Sequence, residues 1–213
     1  MSTEILANLS LAVQKGRAKD VEALIAQGLA EDFTAQQLLE DGLLTGMNLL
    51  GVRFKNNEVF VPEVLIAARA LNKGTLLLKT QLVEEGVKPI GTVVIGTVQG
   101  DLHDIGKNLV RMMLEGSGFQ VIDLGVDVAP ETFVEAVREH KPQIVALSAL
   151  LTTTMGSQRG VIEALEGAGL RGTVKVMIGG APITEAYANE IGADAYTADA
   201  ASAAQMAKSL VAA

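Results

Sequence analysis

Cysteine is absent from the 213 residues, which excludes disulfides, thiolate metal sites, iron–sulfur clusters and cysteine nucleophiles in one step. Tryptophan is absent too, and there are only five Phe and two Tyr, so any core is packed from Val, Leu, Ile, Ala and Met. Basic residues are outnumbered: 17 Lys and Arg against 25 Asp and Glu leave a net charge of −8. That balance argues against nucleic acid, whose phosphates need clustered Lys and Arg, and against an anionic membrane surface. The start of the chain has no basic stretch leading into an apolar one. No run approaches the ~20 apolar residues needed to span a bilayer, so a cytoplasmic protein is expected. What is present, 49% apolar and 20% charged residues, is ordinary globular composition with length for one large domain or two modest ones.

Two periodicities divide the chain. Roughly the first 86 residues read as helix. Val21, Leu24, Ile25 and Leu29 recur at helical spacing. Thr34 and Gln37 form a capping box flanked by Phe33 and Leu38 at the staple positions. Leu39, Leu43, Met47 and Leu50 continue one apolar stripe, and Pro62 suits the first turn of a last helix running to about Gly86. Four helices with short connections predict a small antiparallel bundle. After Lys88-Pro89 come β-branched runs at 91–98, 120–124, 143–148, 173–178 and 193–197. Helix-length segments begin near Asp104, Pro130, Thr154, Ile183 and Ala200. This alternation predicts a flavodoxin-like or Rossmann-like α/β domain, five parallel strands in the order 2-1-3-4-5 with helices on both faces. The expected division is a helical domain at 1–88 and an α/β domain at 89–213.

In such a sheet, ligands bind beyond the C-terminal strand ends where the strand order reverses. The first strand is followed by Gln99-Gly100-Asp101-Leu102-His103-Asp104-Ile105-Gly106-Lys107, the third by Ser148-Ala149-Leu150-Leu151-Thr152-Thr153-Thr154, the fourth by Gly179-Gly180-Ala181-Pro182. His103 is the informative residue. Imidazole is a good ligand for transition metals when its other nitrogen is held by a carboxylate, which Asp101 would supply. No other histidine lies near a strand end, since His140 sits at a helix end where it meets the helix dipole. One histidine builds no zinc or iron site alone. If a metal is bound, something else supplies most of its ligands, as a tetrapyrrole-like macrocycle does. Read without a ligand, Asp101 and Asp104 are turn and cap residues, and Gly179-Gly180 is a turn or a phosphate cradle. Met112, Met113 and Met155 read as core filler.

Asp101-x-His103-x-x-Gly106, with Ser148-x-Leu150 and Gly179-Gly180, resembles the cobalamin-binding signature of methionine synthase, coenzyme-B12-type mutases and the corrinoid proteins of methyltransferase systems. The six-residue motif is weakly specific by itself; the three elements, each after the appropriate strand, are strongly so. The helical half narrows the match. Gly46-Met47-Asn48 through Phe54, then Val59-Phe60-Val61-Pro62-Glu63-Val64, is similar to the helical cap preceding the cobalamin domain in methionine synthase and the methyltransferase corrinoid proteins.

The resemblance implies a cobalamin or related corrinoid with His103 as the cobalt axial ligand, replacing the cofactor's own base. It implies cofactor contacts from Gly100, Asp101, Leu102, His103, Asp104, Ile105, Gly106, Ser148, Leu150, Thr152, Gly179 and Gly180. Gly96 and Ala149, with Ser148 and the two glycines, are expected to leave room for the displaced nucleotide tail. Phe54 and Val61 match the pair that covers the upper face. A proton relay through Asp101 reaches Thr154, a departure, because the family's relay ends on serine; threonine keeps the hydroxyl and adds a methyl. The implied function is a methyl carrier, not catalytic alone. It accepts a methyl group on Co(I) from a substrate-specific methyltransferase and passes it, as methylcobalamin, to a second methyltransferase acting on tetrahydrofolate or a thiol. A reductive activation protein is a further implied partner. The length, with no folate, homocysteine or activation modules, suggests a free-standing corrinoid protein. The alternatives are an adenosylcobalamin-dependent mutase small subunit, which would lack the helical cap, and a corrinoid-sensing module.

Overall fold

The computed structural model describes residues 2–212. They form two compact units, one running to residue 89 and taking in 116–118, the other comprising 90–115 and 119 onward.

The first unit is helical: α1 (Ser2–Gln14), α2 (Ala18–Ala30), α3 (Ala35–Gln37) continuing through a π-helical stretch (Leu38–Leu44) into α4 (Thr45–Lys55), and α5 (Val61–Glu84). The expected capping box is formed: Thr34 Oγ1 accepts from the Gln37 N–H at 3.0 Å, and Gln37 Oε1 accepts from the Thr34 N–H at 3.1 Å. The Glu85 carboxylate, at the far end of α5, adds a second cap by accepting the N–H groups of Ala35 and Gln36 at 2.8 and 2.9 Å. A negative charge there also meets the positive end of the helix dipole.

The apolar stripe differs from expectation by one residue. Leu38, Leu43, Met47 and Leu50 are fully or almost fully buried, whereas Leu39 is half-buried. The reason is the π stretch, whose i→i+5 bonding widens the turn and sets the inward residues 38 and 43 five positions apart. Small residues let the helices close up. A Cβ on Gly42 would fall 2.5 Å from Leu9, and one on Gly46 2.6 Å from the Ser10 carbonyl.

The second unit is a doubly wound sheet. Its parallel strands β1 (Thr92–Thr97), β2 (Gln120–Asp123), β3 (Ile144–Ser148), β4 (Lys175–Gly179) and β5 (Ala195–Tyr196) lie in the order β2-β1-β3-β4-β5. The helices are α6 (Ile105–Glu115), α7 (Pro130–His140), α8 (Gly156–Gly167), α9 (Glu185–Ile191) and α10 (Ala200–Ala212). β4 starts two residues later than the pattern suggests because Arg171–Thr173 makes a 3₁₀ turn, closed by the Thr173 hydroxyl donating to the Leu170 carbonyl at 2.7 Å.

Alternate residues of the central strands serve the two faces. Val94, Val98, Val145, Leu147, Val176 and Ile178 join Phe133, Val161, Ile162 and Leu165 in one buried cluster beneath α7 and α8. On the opposite face the register aligns Thr97, Ser148 and Gly179 side by side across three strand ends. This corrects the placement of two residues. Gly96 faces the Phe133 side, where a Cβ would meet that ring at 2.7 Å, and Ala149 is buried in the same cluster. The space at both is taken by core, so neither lines a slot on the Ser148–Gly179 face.

Candidate functional site

β1 lies between β2 and β3, so strand order reverses there, and the loops after β1 and β3 border the mouth of the sheet. They meet at a buried carboxylate. Asp101 is fully buried, and Oδ1 accepts the His103 N–H at 3.0 Å and the His103 Nδ1–H at 2.7 Å. Oδ2 accepts the Thr154 hydroxyl at 2.7 Å and the backbone N–H groups of Leu150 and Leu151 at 2.7 and 3.3 Å. Residues more than 45 positions apart in sequence are thereby tied to one side chain.

Burial pushes the Asp101 carboxyl up, but the bonds from the Thr154 hydroxyl, the His103 and Leu150 N–H groups and the His103 ring outweigh it and hold it well below the ordinary carboxylate range. Asp101 is therefore an acceptor only, which requires the proton of a neutral His103 ring to sit on Nδ1. Nε2 is left with its lone pair, on a side chain that is 51% exposed. This is the tautomer and orientation that a metal-ligating imidazole needs.

Comparison with known proteins gives the family. Residues 91–206 match the family described as "B12 binding domain", and residues 5–79 match a second family of the same description. The chain is 43% identical to a dimethylamine corrinoid protein of Methanosarcina barkeri over 211 residues, covering 98% of each. It is 44% identical to trimethylamine corrinoid protein 1 of Methanosarcina mazei, covering 91% of this chain and 90% of that one. This chain belongs to the cobalamin-binding corrinoid proteins of methyltransferase systems. Among solved structures, the methanol:cobalamin methyltransferase complex of M. barkeri matches with a TM-score of 0.89 at 29% identity, covering 98% of this chain and 80% of that one. A cobalamin-binding protein from Desulfitobacterium hafniense matches with a TM-score of 0.80 at 34% identity, covering 96% and 98%.

The residues of this corrinoid protein fit its cofactor. Among the described residues no group of three or more His, Cys, Asp or Glu could hold a metal ion, a donor set that fits a macrocycle which brings most of its metal's ligands itself. The same two loops expose large apolar side chains: Leu102 is 71% and Ile105 74% exposed, Leu150 and Leu151 42% each. Apolar residues gathered at the mouth of a cleft suit an apolar disc. At Gly106, in the first turn of α6, nothing lies within 4 Å of where a Cβ would be, which leaves that side of the loop open. Among the described residues, no helix is long and apolar enough to cross a membrane.

The remaining site candidates fall into four places. Ser148 and Gly179 are register partners at the strand ends. Gly180 turns away with φ +133°, and a Cβ there would sit 1.7 Å from the Ala149 carbonyl, so glycine is required for the turn. Thr152 is exposed in the turn between β3 and α8. Asp104 precedes α6 with its carboxylate accepting from Asn108 Nδ2 at 3.0 Å, a contact with a side chain instead of the expected backbone cap. Phe54 and Val61, both half-buried, flank the turn between α4 and α5 in the helical unit.

Thr154 does not cap α8, whose N-terminus has no side-chain cap; its hydroxyl is turned to Asp101. The extra methyl of threonine lies beside Gly100 without crowding, since even a Cβ there would be at an ordinary contact distance of 3.5 Å from Thr154 Cγ2. Thr154→Val, which keeps the shape and removes the donor, is expected to cost about 1.5–3 kcal/mol in denaturant unfolding, the range for a hydrogen bond to a charged group. Thr154→Ser is expected to retain most of that stability.

Two features at the strand ends were not apparent from sequence. The Thr97 hydroxyl donates to the His103 carbonyl at 2.9 Å. Lys107 is 3% exposed, and its Nζ donates to Asp123 Oδ1 at 2.6 Å and Asn108 Oδ1 at 3.0 Å. The lysine was visible directly after the glycine of the motif, and a lysine on the inward face of an amphipathic helix calls for a carboxylate partner.

Proposed function

We propose that this protein is a methyl carrier: it holds a corrinoid through His103, takes a methyl group delivered by a partner methyltransferase from a methylated amine, and yields it to a second methyltransferase. The observation that carries this reading is the Thr154–Asp101–His103 chain, with bonds of 2.7 Å at both links and the outer ring nitrogen unengaged by the carboxylate. The corrin cobalt, when bound, supplies the nucleophile that accepts a methyl group and the leaving group that gives it up. The di- and trimethylamine names of relatives at 41–46% identity support an amine as donor. The match of residues 5–79 favours a carrier over a mutase small subunit, which the resemblance describes without such a helical half.

The protein's own share is electrostatic and steric. Asp101 fixes which ring nitrogen of His103 holds the proton and makes the imidazole a stronger donor. Thr154 is the last member of the hydrogen-bonded chain, and its hydroxyl keeps a donor on the Asp101 carboxylate. The loops bearing Leu102, Ile105 and Leu150 would hold the corrin, and Phe54 and Val61 are the pair that the resemblance gives for shielding a bound methyl group. Tetrahydrofolate or a thiol would be the final acceptor, and a reductive activation protein would be a further partner.

The test uses the reconstituted holoprotein charged with isotopically labelled methyl iodide after reduction. Incubated with extract of the native cells plus either tetrahydrofolate or a thiol, it is expected to lose label to one acceptor. Label that stays on the protein with both would overturn the carrier reading. Charging by trimethylamine and extract, but not by methanol and extract, is expected; the reverse would remove the amine assignment alone.

A further inference from the structure

The loop that presents His103 is gripped by a residue outside the Asp-x-His-x-x-Gly motif. Asp127 lies in the turn after β2. Its carboxylate Oδ1 accepts the Gly100 N–H at 2.7 Å, and its own N–H donates to the Asp101 carbonyl at 2.9 Å. These two bonds bracket the Gly100–Asp101 dipeptide immediately before Leu102 and His103. Gly100 itself is left-handed, at φ +85°, a conformation that only its surroundings select from the many open to glycine.

Asp127 is also left-handed, at φ +53°. Aspartate tolerates that region better than most residues, but glycine adopts it with no steric cost. The backbone alone would be best served by glycine, and what glycine lacks is the carboxylate on Gly100. The turn is anchored at its other end as well. Asp123 Oδ1 accepts the Gly125 N–H at 2.9 Å and the Lys107 ammonium at 2.6 Å, and the Thr97 N–H donates to the Gly125 carbonyl at 3.0 Å. Lys107 stands on α6, four residues beyond His103. The contacts thus close a ring from the histidine loop through α6, Asp123 and the turn to Asp127, and back to Gly100.

We infer that Asp127 is a positioning residue for the axial histidine: its carboxylate and N–H fix the start of the loop so that His103 reaches the cobalt at one height and angle. This rests on the reading of His103 as the lower cobalt ligand.

The experiment uses the full chain grown with histidine carrying the heavy nitrogen isotope, reconstituted with hydroxocobalamin and reduced to Co(II). Electron paramagnetic resonance then shows whether the axial nitrogen belongs to histidine. Wild type is expected to give the heavy-isotope splitting. Asp127→Gly is expected to give a mixture in which that splitting is diminished, with corrinoid retention roughly tenfold weaker, the scale for losing a ligand's supporting contact. Its cofactor-free form should melt no lower than wild type, because glycine relieves the left-handed backbone. Asp127→Asn keeps both the acceptor oxygen and tolerance of that conformation, and should restore splitting and retention. The inference is overturned if Asp127→Gly keeps wild-type splitting and retention, or if Asp127→Asn loses as much as Asp127→Gly. Failure of the His103 reading is seen separately, as wild-type protein without histidine splitting.

Discussion

Replacing His103 with alanine is expected to weaken corrinoid retention by at least about 100-fold, because losing the ligand itself should exceed the 10–100-fold typical of losing only its support. The visible spectrum of the bound cofactor should move to that of a cobalt lacking the protein nitrogen. Folding should change little, since the ring is 51% exposed and its removal empties no core. Equilibrium dialysis and absorption spectroscopy of the reconstituted variant check both points. An unaltered spectrum with wild-type retention would mean that the imidazole never reaches the cobalt. The contrast between a large effect on the cofactor and a small one on the fold identifies a binding residue as opposed to a structural one.

Asp101→Ala should behave in the opposite way, damaging the fold and the cofactor site together. The carboxylate is fully buried and receives bonds from His103, Leu150 and Thr154. Deleting it strands those donors, at a cost of about 3 kcal/mol, the upper end for one buried bond to a charged group given that the exposed ring can turn to water. For a chain of this length that corresponds to a melting temperature lower by roughly 6–12 °C. The effect has a defined pH dependence. The folded carboxyl titrates below its ordinary value of 3.8, so below that value the unfolded state binds the extra proton and acid favours unfolding. The stabilisation from Asp101 is fully present above about pH 4 and is lost as pH falls toward the folded value. Urea titrations of wild type and Asp101→Ala are expected to differ by a constant amount from pH 7 to about 5 and to converge in stronger acid. A gap that widens on acidification would contradict the hydrogen-bond account.

Much of this arrangement is legible in the chain. The shift from helical to alternating periodicity at Lys88-Pro89, and the starts of α6, α7, α8, α9 and α10 to within two residues, follow from where apolar residues must face a core. The parallel, doubly wound sheet follows from the repeated strand–helix alternation, because parallel connections are right-handed and short, and the order 2-1-3-4-5 is the flavodoxin-like one among those that such a sheet takes. Asp101 and His103 are legible because they are two residues apart in one loop and their chemistry is mutual. The π-helical stretch was not legible: Leu38 and Leu39 are adjacent leucines, and only packing against α1 and α2 decides which turns inward. Gly96 likewise reads as a small residue near a strand end, and only the register shows Phe133 filling its place.

Sequence by itself determined the class of site: one histidine with a neighbouring carboxylate, no cysteine, and small residues at three strand ends of a parallel sheet. Tertiary structure alone decided that Thr97 and Asp127 join Asp101 and Thr154 in bracing that histidine's loop. Thr154, Thr97 and Asp127 lie on other loops and strands, 53, 6 and 27 positions in sequence from Asp101, His103 and Gly100, to which they are bonded. Hydrogen bonds form by distance in space, and residues from separate strand ends come within 3 Å only when the sheet has brought those ends together.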